Sequence, residues 1–181
     1  TRAVTMIEAG HPIPDAAGLE AADRALKLAD GAGADDLVLV LMSGGASANW
    51  IAPVAGVSFA DKQAVTRALL RSGATIGEIN TVRKHLSRIK GGQLARHAYP
   101  ATLVTIAISD VPGDDPSAIG SGPTVPDPTT LRDARAIVAK YKLNIPATIT
   151  RALEESRNES PKPGDSVFSG NQFMLAARPA D

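Results

Sequence analysis

The 181-residue chain contains no cysteine. Disulfides and thiolate metal sites are therefore excluded, and the composition is compatible with a cytoplasmic protein. Aromatic residues are scarce, with three Phe, two Tyr and one Trp, so the core has to be built from Ala, Val, Leu and Ile. Charge of neither sign is in excess, because 19 basic and 19 acidic residues cancel. No nucleic-acid partner and no anionic membrane surface is expected, and any anion site must be local, made by a few positioned groups. No apolar run approaches the roughly 18 residues of a transmembrane helix, and no signal-peptide pattern is present. The length suits one domain with a sizeable core.

What is present are two apolar runs that each empty into a glycine-rich polar loop. Leu37-Val-Leu-Val-Leu-Met42 leads into Ser43-Gly-Gly-Ala-Ser-Ala48. Leu103-Val-Thr-Ile-Ala-Ile108 leads into Ser109-Asp-Val-Pro-Gly-Asp-Asp115 and then Gly120-Ser-Gly-Pro-Thr124. Continuous apolar runs of this length suit strands covered on both faces, as in a parallel sheet. In open parallel sheets ligands sit outside the carboxyl ends of the strands.

The remaining pattern alternates. Strand-like runs are expected at residues 3–7, 37–42, 102–109 and 167–169. Helices are expected at 16–29, 59–71, 75–89, 93–98, 130–141 and 146–155, with Asp15, Ser58 and Thr130 as caps. Residues 171–177 read as the start of another helix. The order points to an α/β, Rossmann-like layered domain with a mostly parallel sheet flanked by helices. The chain starts at Thr1 and breaks off inside a regular segment, which reads as a piece of a longer protein.

Three constellations could carry chemistry. Ser43, Gly44, Gly45 and Ser47 form a plausible phosphate or carboxylate cradle, or else a tight turn that needs small residues. The loop is neither a Walker loop nor a dinucleotide fingerprint. Ser47 lacks the following glycine of a hydrolase elbow. Asp110, Asp114 and Asp115 suit Mg²⁺, or an ordinary Pro-Gly turn with solvated aspartates. Ser121, Gly122 and Thr124 add a second anion cradle. Asn80, Arg83, Lys84 and Ser87 share the i, i+3, i+4, i+7 face of a helix, where cations clamp carboxylate or phosphate oxygens or else simply face water. His11, His85 and His97 show no metal-ligand spacing, although His11 beside two prolines is placed to line a site.

Taken together, these segments resemble a known family. They include Glu8-Ala-Gly-His-Pro-Ile-Pro-Asp15, Leu41-Met-Ser-Gly-Gly-Ala-Ser-Ala48, Glu78-Ile-Asn-Thr-Val-Arg-Lys-His-Leu-Ser87, Ile89-Lys-Gly-Gly92, Ser109-Asp-Val-Pro-Gly-Asp-Asp115 and Ser121-Gly-Pro-Thr-Val-Pro-Asp-Pro-Thr129. Their order and spacing are similar to the N-terminal domain of bacterial glycerate 2-kinases that carry a C-terminal MOFRL domain. Many members bear the label hydroxypyruvate reductase. The resemblance covers nearly the whole chain. It implies that residues 1–181 are one α/β domain of a longer two-domain enzyme.

It also implies transfer of a phosphoryl group from ATP, with Mg²⁺, to the 2-hydroxyl of D-glycerate. Glycerate and the nucleotide are then the partners, a homo-oligomer is allowed, and the enzyme is cytoplasmic. In this reading Asp110, Arg83 and Lys84 are catalytic. Ser43, Gly44, Gly45, Ser47, Asn80, Ser121, Gly122 and Thr124 bind substrate or phosphate. Asp110, Asp114 and Asp115 are the metal candidates. The family's Gly-Lys-Ala segment and its MOFRL domain are missing, so this piece alone is not expected to turn over. Ala46 stands where many members have a third glycine. The alternatives are an NAD(P)H-dependent hydroxypyruvate reductase and a non-catalytic anion-binding domain.

Overall fold

The structure, a computed structural model, describes residues 4–11, 14–109, 111 and 113–177. Three strands, β1 (Leu37–Met42), β2 (Thr102–Ile108) and β3 (Gln172–Ala177), form one sheet in the order β1-β2-β3. Both pairings are parallel, with Val40 opposite Thr105 and Ile106 opposite Met174. Parallel neighbours need long crossovers. The first crossover holds α2 (Ala46–Asn49), α3 (Phe59–Arg71), α4 (Ile76–His85) and α5 (Gln93–Ala98); the second holds α6 (Leu131–Lys140) and α7 (Ala147–Glu154). With α1 (Ala16–Asp30) ahead of β1, the chain has the α/β architecture expected from its pattern.

The caps act as the sequence indicates. Asp15 accepts the Gly18 N–H, Ser58 accepts the Asp61 N–H, and Thr130 and Asp133 form a reciprocal capping box. Each satisfies backbone donors that a helix start leaves open. Buried Gly18, Ala22, Leu26 and Ala29 form the inner stripe of α1. Gly18 has to be glycine, because a Cβ there would sit 2.8 Å from the carbonyl oxygen of Asn49.

Two apolar cores result. One joins α1 and α5 to the sheet through Leu26, Val40, Met42, Ile89, Leu94 and Leu103. The other joins α3, α4, α6 and α7 through Val65, Leu69, Val82, Leu86, Ile149 and Leu153. Each fully buried Leu or Ile contributes about 1.5–3 kcal/mol. Leu86 belongs to one core and Ile89 to the other, so residues 86–92 run along the seam between them.

Five expectations change. Residues 4–10 join no strand, and Val4 and Met6 are exposed. The helix expected at 75–89 ends at His85. There Lys62 takes the carbonyls of Arg83 and Leu86, and the Ser87 hydroxyl accepts the N–H groups of Ile89 and Lys90, which competes with helical bonding. Residues 166–168 form a 3₁₀ turn capped by Asp165 rather than a strand. Residues 172–177 are the strand β3 rather than a helix, because pairing with β2 overrides local helical propensity. The sheet is also covered on one face only: Leu37, Leu39 and Leu41 stand 62%, 53% and 70% exposed, where cover on both faces is expected from the apolar run.

Candidate functional site

Three glycine-containing loops brace one another at the carboxyl ends of β1 and β2. The first is residues 43–47, where Gly45 has φ 86° and caps α2. A Cβ on Gly45 would meet the His11 ring at 3.2 Å, so the loop passes close to the segment before α1. The second is Gly91-Gly92. Their N–H groups donate to the carbonyls of Ser121 and Gly122, at 2.9 and 2.7 Å. The third is residues 120–122. Gly120 has φ 58°, and a Cβ there would lie 2.3 Å from Met42 Cε and 3.3 Å from Ala46 Cβ. Ser47 Oγ and Ser121 Oγ share a hydrogen bond of 3.0 Å. Ser121 is buried and itself holds a left-handed φ of 65°.

A cavity of about 230 Å³ lies between these loops and α4, lined by His11, Ser43, Gly44, Gly45, Ser47 and Arg83 among others. The N–H groups of Gly44 and Gly45 have no acceptor among the described residues. Arg83 Nη2 donates to the Ser47 carbonyl at 2.9 Å, and Lys90 Nζ donates to the same oxygen at 3.0 Å. A second cavity, about 280 Å³, shares Ser47 and Arg83 with the first and has Lys62, Lys90, Ile51 and Ile79 in its wall.

The electrostatics of this seam are one-sided. Lys62 and Lys90 are each 2% exposed. Burial, then the charges of Arg83 and Lys90, hold the Lys62 ammonium pKa well below the usual lysine range. Burial, then Arg83, does the same for Lys90. Burial also pushes the Arg83 guanidinium down. Among the described residues no carboxylate forms an ion pair with any of the three.

The structure thus brings Ser43, Gly44, Gly45, Ser47 and Arg83 to one cavity, with Ser121 attached through Ser47. It turns Lys84 elsewhere, into a buried ion pair with Asp127 at 3.4 Å. Adjacent helix residues project about 100° apart, which separates Arg83 from Lys84. Thr124 accepts the Thr105 hydroxyl at 2.8 Å in the interior, pinning its loop to β2. Gly122 braces Gly92, and Asn80 lines neither cavity. Asp110 lies outside the described residues. Asp115 gives both carboxylate oxygens to Ser117, at 2.8 and 2.9 Å. Asp114 has φ 53° and donates its N–H to the Val111 carbonyl. Among the described residues no three His, Asp or Glu side chains converge on a point that holds a metal ion; the expected set of Asp110, Asp114 and Asp115 includes a residue outside them.

Two residues were not legible as site residues, Lys62 and Lys90. The signals are there. Lys62 lies on the stripe of Val65 and Leu69, where a lysine is out of place, and Lys90 directly precedes Gly91-Gly92.

Comparison with known proteins gives the chain relatives along most of its length. The chain is 55% identical over 177 residues to a putative hydroxypyruvate reductase of Agrobacterium vitis, covering 98% of this chain and 40% of that protein. It is 46% identical over 153 residues to the glycerate 2-kinase of Pyrococcus horikoshii, covering 83% and 34%. The crystal structure of glycerate kinase from Thermotoga maritima superposes with a TM-score of 0.85 at 43% identity, covering 93% of this chain and 39% of that one. The chain therefore spans roughly two fifths or less of the length of these relatives. No helix among the described residues is long and apolar enough to cross a membrane. The family model described as "Domain of unknown function (DUF4147)" matches residues 1–154, and the chain belongs to that family.

Proposed function

We propose that the full-length protein transfers a phosphoryl group from ATP to the 2-hydroxyl of D-glycerate, in the cytoplasm. The observation that carries this reading is the meeting of free backbone N–H groups, two hydroxyls and a guanidinium on one small cavity at the strand ends. The names of the relatives from Pyrococcus horikoshii and Thermotoga maritima support it. Phosphoryl transfer asks of a protein mainly positioning and charge neutralisation. Gly44 and Gly45 offer N–H groups to phosphate oxygens, as backbone nests do. Ser43 and Ser47 offer hydroxyls, and buried Ser121 orients Ser47. Arg83 neutralises charge that develops on the moving group. Asp110 orients or deprotonates the 2-hydroxyl. Mg²⁺ bound to the nucleotide phosphates would neutralise their charge and would need few protein ligands, for which Asp110, Asp114 and Asp115 are the candidates. Lys84 is left out of the chemistry, because Asp127 holds its ammonium.

The second reading, an NAD(P)H-dependent hydroxypyruvate reductase, rests on the name of the Agrobacterium vitis relatives. The loop after β1, Ser43-Gly-Gly-Ala-Ser47, is not a dinucleotide fingerprint. A coupled assay with ATP and D-glycerate, run beside NADH oxidation with hydroxypyruvate, separates the two. We expect ATP-dependent turnover, lowered about 100-fold or more by Arg83→Met, the scale seen when one transition-state donor is removed. NADH oxidation without ATP-dependent turnover overturns the kinase reading.

A further inference from the structure

We propose that the cavity walled by Lys62, Arg83 and Lys90 is a carboxylate subsite, which holds the acid group of a small hydroxy acid while the glycine loop faces the phosphates. The proposal rests on the kinase reading for the identity of the acid, and not for the existence of the subsite.

Four observations carry it. First, the cations are uncompensated. Every charge acting on buried Lys62 is of its own sign, and none of the three side chains meets a carboxylate among the described residues. In the empty site burial and like charge favour loss of a proton, and an anion entering from outside restores the charged form, so the group is built to respond to one. Second, the donors are aimed but not exhausted. Arg83 and Lys90 each spend one recorded hydrogen bond, on the same Ser47 carbonyl. A guanidinium has five N–H donors and an ammonium three, so most remain. Lys62 differs: it caps the carbonyls of Arg83 and Leu86 at the end of α4, so it fixes Arg83 and adds field rather than contact.

Third, the size selects a small ligand. At about 280 Å³ the cavity falls below the roughly 300–1,000 Å³ of sites that take drug-sized molecules. Its wall includes Pro14, Ile51, Ile76 and Ile79, and such apolar surroundings strengthen ion pairing. Fourth, the two cavities differ in their donors. Gly44 and Gly45 present N–H groups on one side, the usual phosphate device. The other has a mostly apolar wall whose charged groups are Lys62, Arg67, Arg83 and Lys90, and a guanidinium fork suits a planar carboxylate. Ser47 and Arg83 line both cavities, so a three-carbon acid held by its carboxylate on one side presents its hydroxyl toward the other.

The test uses the full-length protein and titration calorimetry. The probes are D-glycerate, glycerol (the same skeleton without the carboxylate), formate and inorganic phosphate. Wild-type protein is expected to bind D-glycerate and not glycerol, and formate is expected to compete. Lys90→Met should weaken D-glycerate by about 10- to 100-fold, the scale of one lost hydrogen bond to a charged group, with ATP affinity unchanged. Lys90→Gln, which keeps a donor toward the Ser47 carbonyl, carries the same expectation if the methionine variant does not fold. The formate competition needs no variant, and its absence overturns the subsite. Wild-type affinity for D-glycerate in a folded Lys90 variant also overturns it, whether or not the protein phosphorylates glycerate. Weakened ATP or inorganic phosphate with unchanged D-glycerate assigns the cations to phosphate, which overturns the carboxylate assignment. Lys90-dependent D-glycerate binding without ATP-dependent turnover keeps the subsite and removes the kinase reading.

Discussion

Lys84→Met separates the two neighbouring cations of α4. The Lys84 ammonium lies 3.4 Å from Asp127 Oδ1, with side chains 6% and 0% exposed. At an effective dielectric constant of about 20, unit charges at that distance attract by about 5 kcal/mol. Removing the lysine also returns the cost of dehydrating it. Asp127 keeps the Thr129 N–H and hydroxyl at 3.1 and 2.7 Å, and the Ser160 hydroxyl at 3.0 Å. Breaking one side of a buried pair costs about 3–5 kcal/mol, and these three remaining bonds place the variant at the lower end, about 3 kcal/mol. Urea unfolding should show the loss as a lower midpoint with an unchanged slope. The double variant Lys84→Met/Asp127→Asn should recover part of it, since the two sites are in contact and couple. Under folding conditions kcat should stay within about threefold of wild type, because no charge that touches either cavity has been removed. Wild-type stability with kcat down about 100-fold would refute the reasoning and put Lys84 on the substrate.

Gly120→Ala forces a Cβ to 2.3 Å from Met42 Cε at a backbone φ of 58°. It should cost about 1–3 kcal/mol in thermal unfolding and also weaken phosphate-side binding, since Ala46 of the glycine loop is the next atom in its path. Wild-type melting and binding would mean that the two loops do not brace each other. Glu159 gives the pH dependence. Partial burial raises its carboxyl pKa, but hydrogen bonds from Lys162, the Leu131 N–H and His85 hold it down at about 2. A lowered folded-state pKa contributes stability above the unfolded value, near 4.5, and that contribution is lost as pH falls toward 2. The exposed part of the side chain limits the effect to about 1 kcal/mol, and Glu159→Gln should flatten the melting profile in that window. An unchanged acid limb would remove Glu159 from the acid response.

The elements most legible in the sequence are those decided locally. Asp15, Ser58 and Thr130 are caps because a side-chain oxygen two or three residues from open N–H groups needs no distant partner. β1 and β2 are short runs rich in Leu, Val and Ile, of the length and composition of strands. β3 was hidden because Gln172-Phe-Met-Leu-Ala-Ala177 is locally helical, and only β2, some 65 residues earlier, makes it a strand. Its period-2 signal is weak, with Phe173 and Leu175 turned to the core and Met174 outward. The face of Leu37, Leu39 and Leu41 shows the converse limit. An apolar run states that a strand needs cover, and cannot state that the cover lies within the same 181 residues.

The site divides in the same way. A glycine pair after a strand is a local statement, and the loop of residues 43–47 lines a cavity as expected. The roles of Arg83 and Lys84 depend on partners 36 and 43 residues away, Ser47 and Asp127, and a shared helical face does not reveal which cation reaches which. Lys62 and Lys90 carry the strongest argument for function. Neither belongs in an apolar seam on grounds of stability, because dehydrating an ammonium without a counter-ion costs several kcal/mol. A methionine at position 90 would avoid that penalty, whereas one at position 62 would leave the carbonyls of Arg83 and Leu86 without their donor. The fold instead places both beside Arg83, caps α4 with one and points the other at Ser47, in a seam that Gly91, Gly92, Gly120 and Gly122 allow the loops to close tightly. Beside the N–H groups of Gly44 and Gly45, which have no acceptor among the described residues, that cost is what the proposed carboxylate subsite accounts for.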